Sequence, residues 1–102
     1  MRLEWSKDAV EDLDYIWEYI ALDNVDRAFT FIDELRSEAY RLIENPLMGI
    51  KIPELNNINF REWFYKGYTF IYEIEQGRLI IHEVHSQKRY FIRSITRDET
   101  EN

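Results

Sequence analysis

The sequence predicts an α+β domain with an N-terminal strand, an antiparallel helical hairpin and then a three-stranded antiparallel meander. Two observations predict this β-α-α-β-β-β order. Residues 7–44 carry apolar residues at helical spacing, and residues 61–85 hold three short runs rich in aromatic and β-branched residues. One sheet packed on a helical hairpin is the economical way to bury both sets of apolar side chains.

The first strand and the first helix follow from residues 1–22. Residues 1–5 alternate apolar and charged, as in a half-buried strand, and Ser6 is a suitable N-cap for the helix that follows. The apolar stripe expected to face the core consists of Val10, Leu13, Ile16, Trp17 and Ile20. The side expected to face water carries Asp8, Glu11, Asp12, Asp14 and Glu18. Such a charge run is typical of a solvated face, although it could also meet a basic partner.

A second helix is predicted over residues 25–44, with Asn24 as its cap. The link between the helices is short, so they should pack as an antiparallel pair. Asn45 precedes Pro46 and is therefore disfavoured in the α region, which ends the helix. Residues 46–59 are predicted to form a loop.

The three later strands are predicted at residues 61–65, 68–74 and 79–85. Lys66-Gly67 separates the first two, and residues 75–78 separate the last two. Regular alternation would place His82 with the packed side chains and His85 on the opposite face. The two histidines should then be unable to share a metal, and no metal or cofactor site is expected.

Composition limits the classes of function. The 102 residues fit one domain, residues 1–91, with a charged C-terminal tail at residues 92–102. The sequence has no Cys, which excludes disulfides and thiolate chemistry. It has no apolar run of the roughly 20 residues that span a bilayer and no signal-peptide pattern. We therefore expect a cytoplasmic protein without a membrane partner.

Charge is unevenly distributed along the chain. The net charge is −7, with 6 Lys/Arg against 13 Asp/Glu in residues 1–60 and 7 against 4 in residues 61–97. The acidic total argues against non-specific binding to nucleic acid. The basic and aromatic groups gather near the end of the meander, where a local field can still attract an anion.

The ordered pieces of the chain resemble the RelE/ParE superfamily of toxins from type II toxin–antitoxin modules, which include plasmid stabilisation proteins. The patterns are DL..I..YI in the first helix, L..NP..G at the end of the second, RE…GY.FIYEI in the meander and I..VH..KR at its end. Together they span about residues 3–91. The resemblance implies a RelE/ParE-like fold, growth arrest as the activity, and a cognate antitoxin that binds the toxin in a hetero-oligomer.

The superfamily has two mechanisms, and the resemblance leaves both open. RelE-like members are metal-free endoribonucleases that cut mRNA on the ribosome, whereas ParE-like members poison DNA gyrase without being enzymes themselves. Ribonuclease members commonly carry Arg directly after the Tyr of the middle strand. This chain has Thr69 after Tyr68, and a hydroxyl cannot replace a guanidinium as a phosphate clamp.

The ribonuclease reading still has candidate residues. His85 would be the base, Arg89 and Lys88 would contact phosphate, and Tyr90 would be the acid. Arg61 is expected on a neighbouring strand, close to them. The simpler alternative is that Lys88 and Arg89 solvate a strand end while Tyr90 packs on the sheet.

The ParE-like reading is favoured by Thr69, by the wording of the first helix and by the acidic balance, since a gyrase poison acts through a protein–protein surface. The antitoxin is expected to dock on an edge strand or in the groove between helical hairpin and sheet. Trp63, Tyr65, Tyr68 and Lys88 are the candidate partner-binding residues, with core packing as the alternative for the aromatic ones. A third reading is a non-toxic remnant that only binds its antitoxin.

Overall fold

The computed structural model describes residues 1–86, and within them the chain forms two helices and one sheet of five strands. The elements in chain order are β1 (Arg2–Trp5), α1 (Lys7–Ala21), α2 (Val25–Glu44), β2 (Ile50–Lys51), a 3-10 turn (Pro53–Leu55), β3 (Phe60–Tyr65), β4 (Tyr68–Glu75) and β5 (Arg78–Ser86). The α+β class and the predicted order are confirmed. The segment predicted as loop also contains β2, a strand of two residues that pairs antiparallel with β3.

Both helices begin at the predicted caps. The Ser6 side chain accepts a hydrogen bond from the backbone N–H of Ala9 at 3.1 Å, and the Asn24 side chain accepts one from Arg27 at 3.0 Å. These bonds satisfy N–H groups that have no partner inside the helix. Helix α2 occupies the predicted range, and the backbone N–H of Asn45 still bonds back to Arg41 before Pro46 ends the helix.

The sheet is mixed, with strand order β1-β5-β4-β3-β2. Strands β3, β4 and β5 form the predicted antiparallel meander, whereas β1 pairs in parallel with β5. Both meander turns are two residues long, and positive φ angles at Lys66, Gly67, Gln76 and Gly77 give them the backbone that tight hairpins require.

A β-bulge at His82 interrupts the alternation along β5. Tyr72 of β4 lies opposite Ile81 and Ile71 lies opposite Glu83, so His82 has no opposite residue. Residues after the bulge therefore exchange faces. The expectation that His82 and His85 lie on opposite faces is wrong, because the extra residue brings both onto the face that points away from the helices.

The core lies between the helical hairpin and one face of the sheet. Its fully buried large side chains are Leu35 and Leu42 of α2 with Phe70, Tyr72, Leu79, Ile81 and Val84 of the sheet. Helix α1 contributes Ala9, Leu13 and Ile16. Val10, which was predicted in the stripe of α1, is 46% exposed, and Ala9 is buried instead.

Asp12 corrects a second expectation for α1. It was placed on the wet side, yet its carboxylate accepts a hydrogen bond from the backbone N–H of Val84 at 2.9 Å. Strand β1 ends opposite Ile81, so Val84 has no partner residue on that strand. A carboxylate from the helix satisfies an N–H that would otherwise be costly to bury.

Candidate functional site

A groove opens between the helical hairpin and the sheet, at the end of the molecule where α1 turns into α2. We call it the hairpin–sheet groove, and its volume is about 930 Å³. Its lining residues come from α1 and the link (Tyr19, Ile20, Leu22, Asp23), from α2 (Arg27, Thr30, Phe31, Glu34) and from the β3–β4 hairpin (Lys66, Tyr68). Apolar walls with a few charged groups are typical of a binding surface.

The apolar wall of this groove joins the helix to the sheet. The rings of Phe31 and Tyr68 are tilted against each other with centroids 5.2 Å apart. Burial raises the pKa of the Tyr68 phenol, with a smaller contribution from Tyr19. Leu22 is 88% exposed at the hairpin tip, which makes it an apolar side chain available for contact.

Charged groups close one end of the hairpin–sheet groove. The Lys66 ammonium lies 2.7 Å from the Glu34 carboxylate, and the Tyr65 hydroxyl donates to the same oxygen at 3.5 Å. The hydrogen bond from Lys66 lowers the pKa of Glu34, and the Glu34 carboxylate raises the pKa of Lys66. Because the ion pair of Lys66 and Glu34 is largely exposed, it contributes little to the stability of the fold, and its main effect is to hold both charged groups at the groove.

The structure places the three predicted aromatic partner residues on the helix-facing side of the sheet. Trp63 donates its indole N–H to Glu38 at 2.7 Å, and Tyr65 reaches Glu34. Only Tyr68 lines the hairpin–sheet groove. Lys88, the fourth predicted partner residue, lies outside the described residues.

Arg61, the ribonuclease candidate expected on a neighbouring strand, lies on β3 and is engaged with the backbone of the loop that follows α2. Its guanidinium donates to the carbonyl of Gly49 at 2.7 Å and to that of Leu47 at 3.5 Å. We call residues 46–49, together with the Arg61 and Tyr72 side chains that hold them, the anchored loop.

Tyr72 is the second residue that holds the anchored loop. Its hydroxyl donates to the carbonyl of Pro46 at 2.7 Å and accepts from the N–H of Gly49 at 2.9 Å. Burial raises the pKa of this phenol while the Gly49 N–H acts in the opposite direction. A side chain at position 49 would not fit, since a Cβ there would lie 2.5 Å from the Tyr72 hydroxyl oxygen and 2.7 Å from the Glu62 carbonyl oxygen.

His85, the predicted base, lies on the other face of the sheet. It pairs with Thr69 across β4 and β5, whereas Arg61 pairs with Tyr72 on the helix-facing side. His85 is 3% exposed and Thr69 is 4% exposed, so this part of the outer face is closed to solvent. The structure does not bring Arg61 and His85 together, and Arg89 and Tyr90 lie outside the described residues.

The neighbouring histidine takes part in a separate contact. His82 Nε2 lies 2.8 Å from the Glu73 carboxylate, and the His82 ring stacks on Phe60 with centroids 5.3 Å apart. Within residues 1–86, no group of His, Asp or Glu is arranged to hold a metal ion.

Three functional or anchoring groups escaped the sequence reasoning. Tyr72 and Gly49 stand inside the patterns that carry the resemblance, but their contact spans 23 residues and no local signal reveals it. Glu38 of α2 was not singled out, yet it is 3% exposed and accepts hydrogen bonds from both Trp63 and Arg41. Leu35, Ala39 and Leu42 recur around it at helical spacing, and an acidic residue within this apolar stripe was the available signal.

No helix within the part of the chain that the structure describes is long and apolar enough to cross a membrane. No curated protein matches this sequence. Among solved structures, the fold resembles a chain of the chromosomal ParDE TA system from P. aeruginosa, with a TM-score of 0.69 and 18% sequence identity over 84% of this chain and 95% of that one.

A comparison with protein families identifies the family as well as the fold. The model for the ParE toxin of type II toxin–antitoxin systems, parDE, matches residues 3–91, which is nearly the whole predicted domain. The match contains both helices and the complete meander, and so includes the anchored loop and the hairpin–sheet groove. The chain therefore belongs to the ParE toxin family of type II toxin–antitoxin systems.

Proposed function

We propose that this protein arrests bacterial growth by poisoning DNA gyrase in the cytoplasm, and that a cognate antitoxin neutralises it. The observation that carries the proposal is the family match over residues 3–91. Membership supports a toxin that acts by binding a protein target, and the acidic net charge of −7 suits that action better than gripping RNA.

The placement of the ribonuclease candidates supports the same choice. Metal-free RNA cleavage needs a base and cationic groups around one phosphate. Arg61 is held by loop carbonyls on one face of the sheet, and His85 is buried on the other. Thr69, at the position where ribonuclease relatives carry Arg, is a buried hydroxyl beside His85.

The hairpin–sheet groove is our proposed docking site for the antitoxin. An amphipathic segment would place apolar side chains against Phe31 and Tyr68 and acidic ones near Arg27 and Lys66. Arg27 is exposed and can select the charge of the segment directly, whereas Lys66 would share the segment's acidic group with its ion-pair partner Glu34. This recognition would leave the anchored loop undisturbed.

The target is tested by inducing the chain alone in a bacterium and following thymidine and leucine incorporation together. We expect thymidine incorporation to fall first, and purified chain to inhibit supercoiling by purified gyrase. Early loss of leucine incorporation would instead mean that translation is inhibited and would favour the ribonuclease hypothesis. Unchanged incorporation of both, with soluble protein present, would identify a binder without toxicity.

The docking site is tested by Arg27→Glu, with Lys51→Glu as a control that changes charge equally at an exposed position of β2. The product of the reading frame adjacent to the toxin frame should bind the control normally and Arg27→Glu about tenfold more weakly. If the antitoxin binds both variants equally well, its docking site lies on another surface.

A further inference from the structure

A second groove runs along the helical hairpin, between α1 and α2. We call it the outer groove. Its volume is about 410 Å³, and its lining residues are Leu13, Asp14 and Trp17 of α1 with Phe29, Ile32, Asp33 and Arg36 of α2. The proposed antitoxin site does not use these side chains.

The two grooves lie on opposite flanks of α2. A helix turns about 100° per residue, so Phe29 and Asp33 share one flank of α2. Arg27 and Glu34, which line the hairpin–sheet groove, lie on the other. A partner in one groove therefore leaves the other groove open.

Aromatic rings form the wall of the outer groove. Trp17 and Phe29 meet edge to face with centroids 5.4 Å apart, and Phe29 is 59% exposed. The indole nitrogen of Trp17 is shielded from solvent and has no hydrogen-bond partner within residues 1–86. An aromatic pair with one half-buried and one exposed ring can pack the aliphatic stem of a long side chain and attract its positive head.

The rim of the outer groove is acidic. Asp14 and Asp33 are exposed at its edge beside one cation, Arg36, and Glu11 and Glu18 are exposed farther along α1, so the acidic groups outnumber the basic one. Residues 1–60, which supply both helices, hold 13 Asp/Glu against 6 Lys/Arg. This charge repels nucleic acid, an anionic membrane and the same face of a second copy, and it attracts a surface rich in Lys and Arg.

We infer that the outer groove binds a basic surface of DNA gyrase, the kind of surface with which that enzyme holds DNA. A protein that binds DNA neutralises phosphates with Lys and Arg, and Asp14 and Asp33 would take the place of phosphates. The aliphatic stem of such a Lys or Arg packs on Trp17 and Phe29 while its head reaches the two carboxylates. The inference rests on the proposed function, because it names the surface of this chain that meets the proposed target.

The test compares three variants with the unmodified chain against purified gyrase. Asp14→Lys/Asp33→Lys reverses the rim charge, and Phe29→Ala removes the apolar anchor. Glu44→Lys/Glu54→Lys is the matched control, since it changes net charge equally at two exposed positions that do not line the outer groove. Gyrase binding and inhibition of supercoiling are measured at low and at physiological salt.

We expect the rim variant to bind at least about tenfold more weakly and to lose most of the salt dependence of its association rate. Phe29→Ala should dissociate about tenfold faster with its salt dependence retained. The control should stay within about twofold of the unmodified chain in both measurements. Circular dichroism establishes that each variant is folded, and binding to the adjacent-frame antitoxin is measured separately.

The outcomes separate the two proposals. If the unmodified chain neither binds nor inhibits gyrase, the proposed target is wrong. If it inhibits gyrase and the rim variant inhibits equally, the target stands and the outer groove is not the contact surface. Loss of antitoxin binding in a folded rim variant would assign the outer groove to the antitoxin and overturn the inference.

Discussion

The anchored loop and the helical hairpin use their aromatic side chains in opposite ways. Tyr72 is fully buried and both its hydroxyl contacts go to loop backbone, whereas Phe29 and Tyr19 are 59% and 66% exposed. Tyr72 and Tyr19 both lie in patterns that carry the family resemblance, whereas Phe29, whose exposed ring meets Trp17, lies outside them. The family patterns thus contain residues that hold the fold together, such as Tyr72, and residues that line the groove proposed for the antitoxin, such as Tyr19 and Tyr68.

Arg61 shows that a residue in a family pattern can be mistaken for part of a binding site. A basic residue in a family pattern suggests an anion site, yet its guanidinium is turned to the carbonyls of Gly49 and Leu47. Carbonyl groups at the end of a helix and in the following loop need donors as much as phosphates do. Arg61 and Tyr72 together supply them.

Outside the core, the largest expected effect is in the anchored loop. Gly49→Ala should lower the free energy of unfolding by about 3 kcal/mol, because the added methyl overlaps the Tyr72 hydroxyl and the Glu62 carbonyl. Chemical denaturation measures the loss. In a Tyr72→Phe background, Gly49→Ala should still lower stability, because the Glu62 carbonyl and the ring carbon at position 72 remain 2.7 Å from the added methyl. No further loss in that background would mean that only the hydroxyl excludes a side chain.

Tyr72→Phe alone should cost about 2 kcal/mol, because Gly49 loses an acceptor and Pro46 loses a donor in a buried place. Denaturation monitored by fluorescence gives the value. Tyr40→Phe is the matched control, since Tyr40 is 63% exposed, and should change stability by less than about 0.5 kcal/mol. Equal effects at both positions would contradict the role assigned to the anchored loop.

Phe29→Ala tests the exposed aromatic residues of the helical hairpin in the same way. Its loss of the edge contact with Trp17 should cost about 1 kcal/mol, against about 4 kcal/mol for Phe70→Ala in the core. Thermal unfolding of both variants tests this ranking. A large loss for Phe29→Ala would mean that the exposed ring is part of the core and that its effect on gyrase binding is indirect.

The smallest expected effect concerns Glu62. Burial, and then the nearby Glu54 carboxylate, raises its pKa above the usual value of 4.5. An acid with a raised folded-state pKa penalises the fold when ionised, so Glu62→Gln should stabilise slightly at pH 7. The advantage should shrink as pH falls through the raised pKa and vanish below 4.5. A gain that is independent of pH would point to packing instead.

Local patterns predicted the elements but not the contacts between them. The caps at Ser6 and Asn24 and the two-residue turns are short-range features, so their residues reveal them. The bulge at His82 depends on how β4 and β5 align, and strict alternation therefore misplaced one histidine. Asp12 looked like a solvated acid because its partner, the N–H of Val84, is 72 residues away in the chain.

The candidate site was predictable to a similar depth. The groove between hairpin and sheet followed from the packing of the two layers, and Tyr68 was identified as one of its residues. The only sign of the outer groove in the sequence was the acidic run on α1. Trp17 was predicted to face the core, and Phe29 was not predicted to lie on any binding surface. A groove between two helices depends on how the helices pack against each other, which the pattern along either helix does not reveal.

The parallel pairing of β1 with β5 has a consequence for synthesis of the chain. The Ser6 hydroxyl, directly after β1, donates to the carbonyl of His82, 76 residues later. Because β1 pairs with β5, it cannot join the sheet until β5 has been synthesised. Contacts of such long sequence separation form late in folding. While a ribosome is still translating β4, the emerging segment has a helical hairpin but no closed sheet. An antitoxin bound in the hairpin–sheet groove would therefore meet only the helical side of its site until Lys66 and Tyr68 have been made and folded against it.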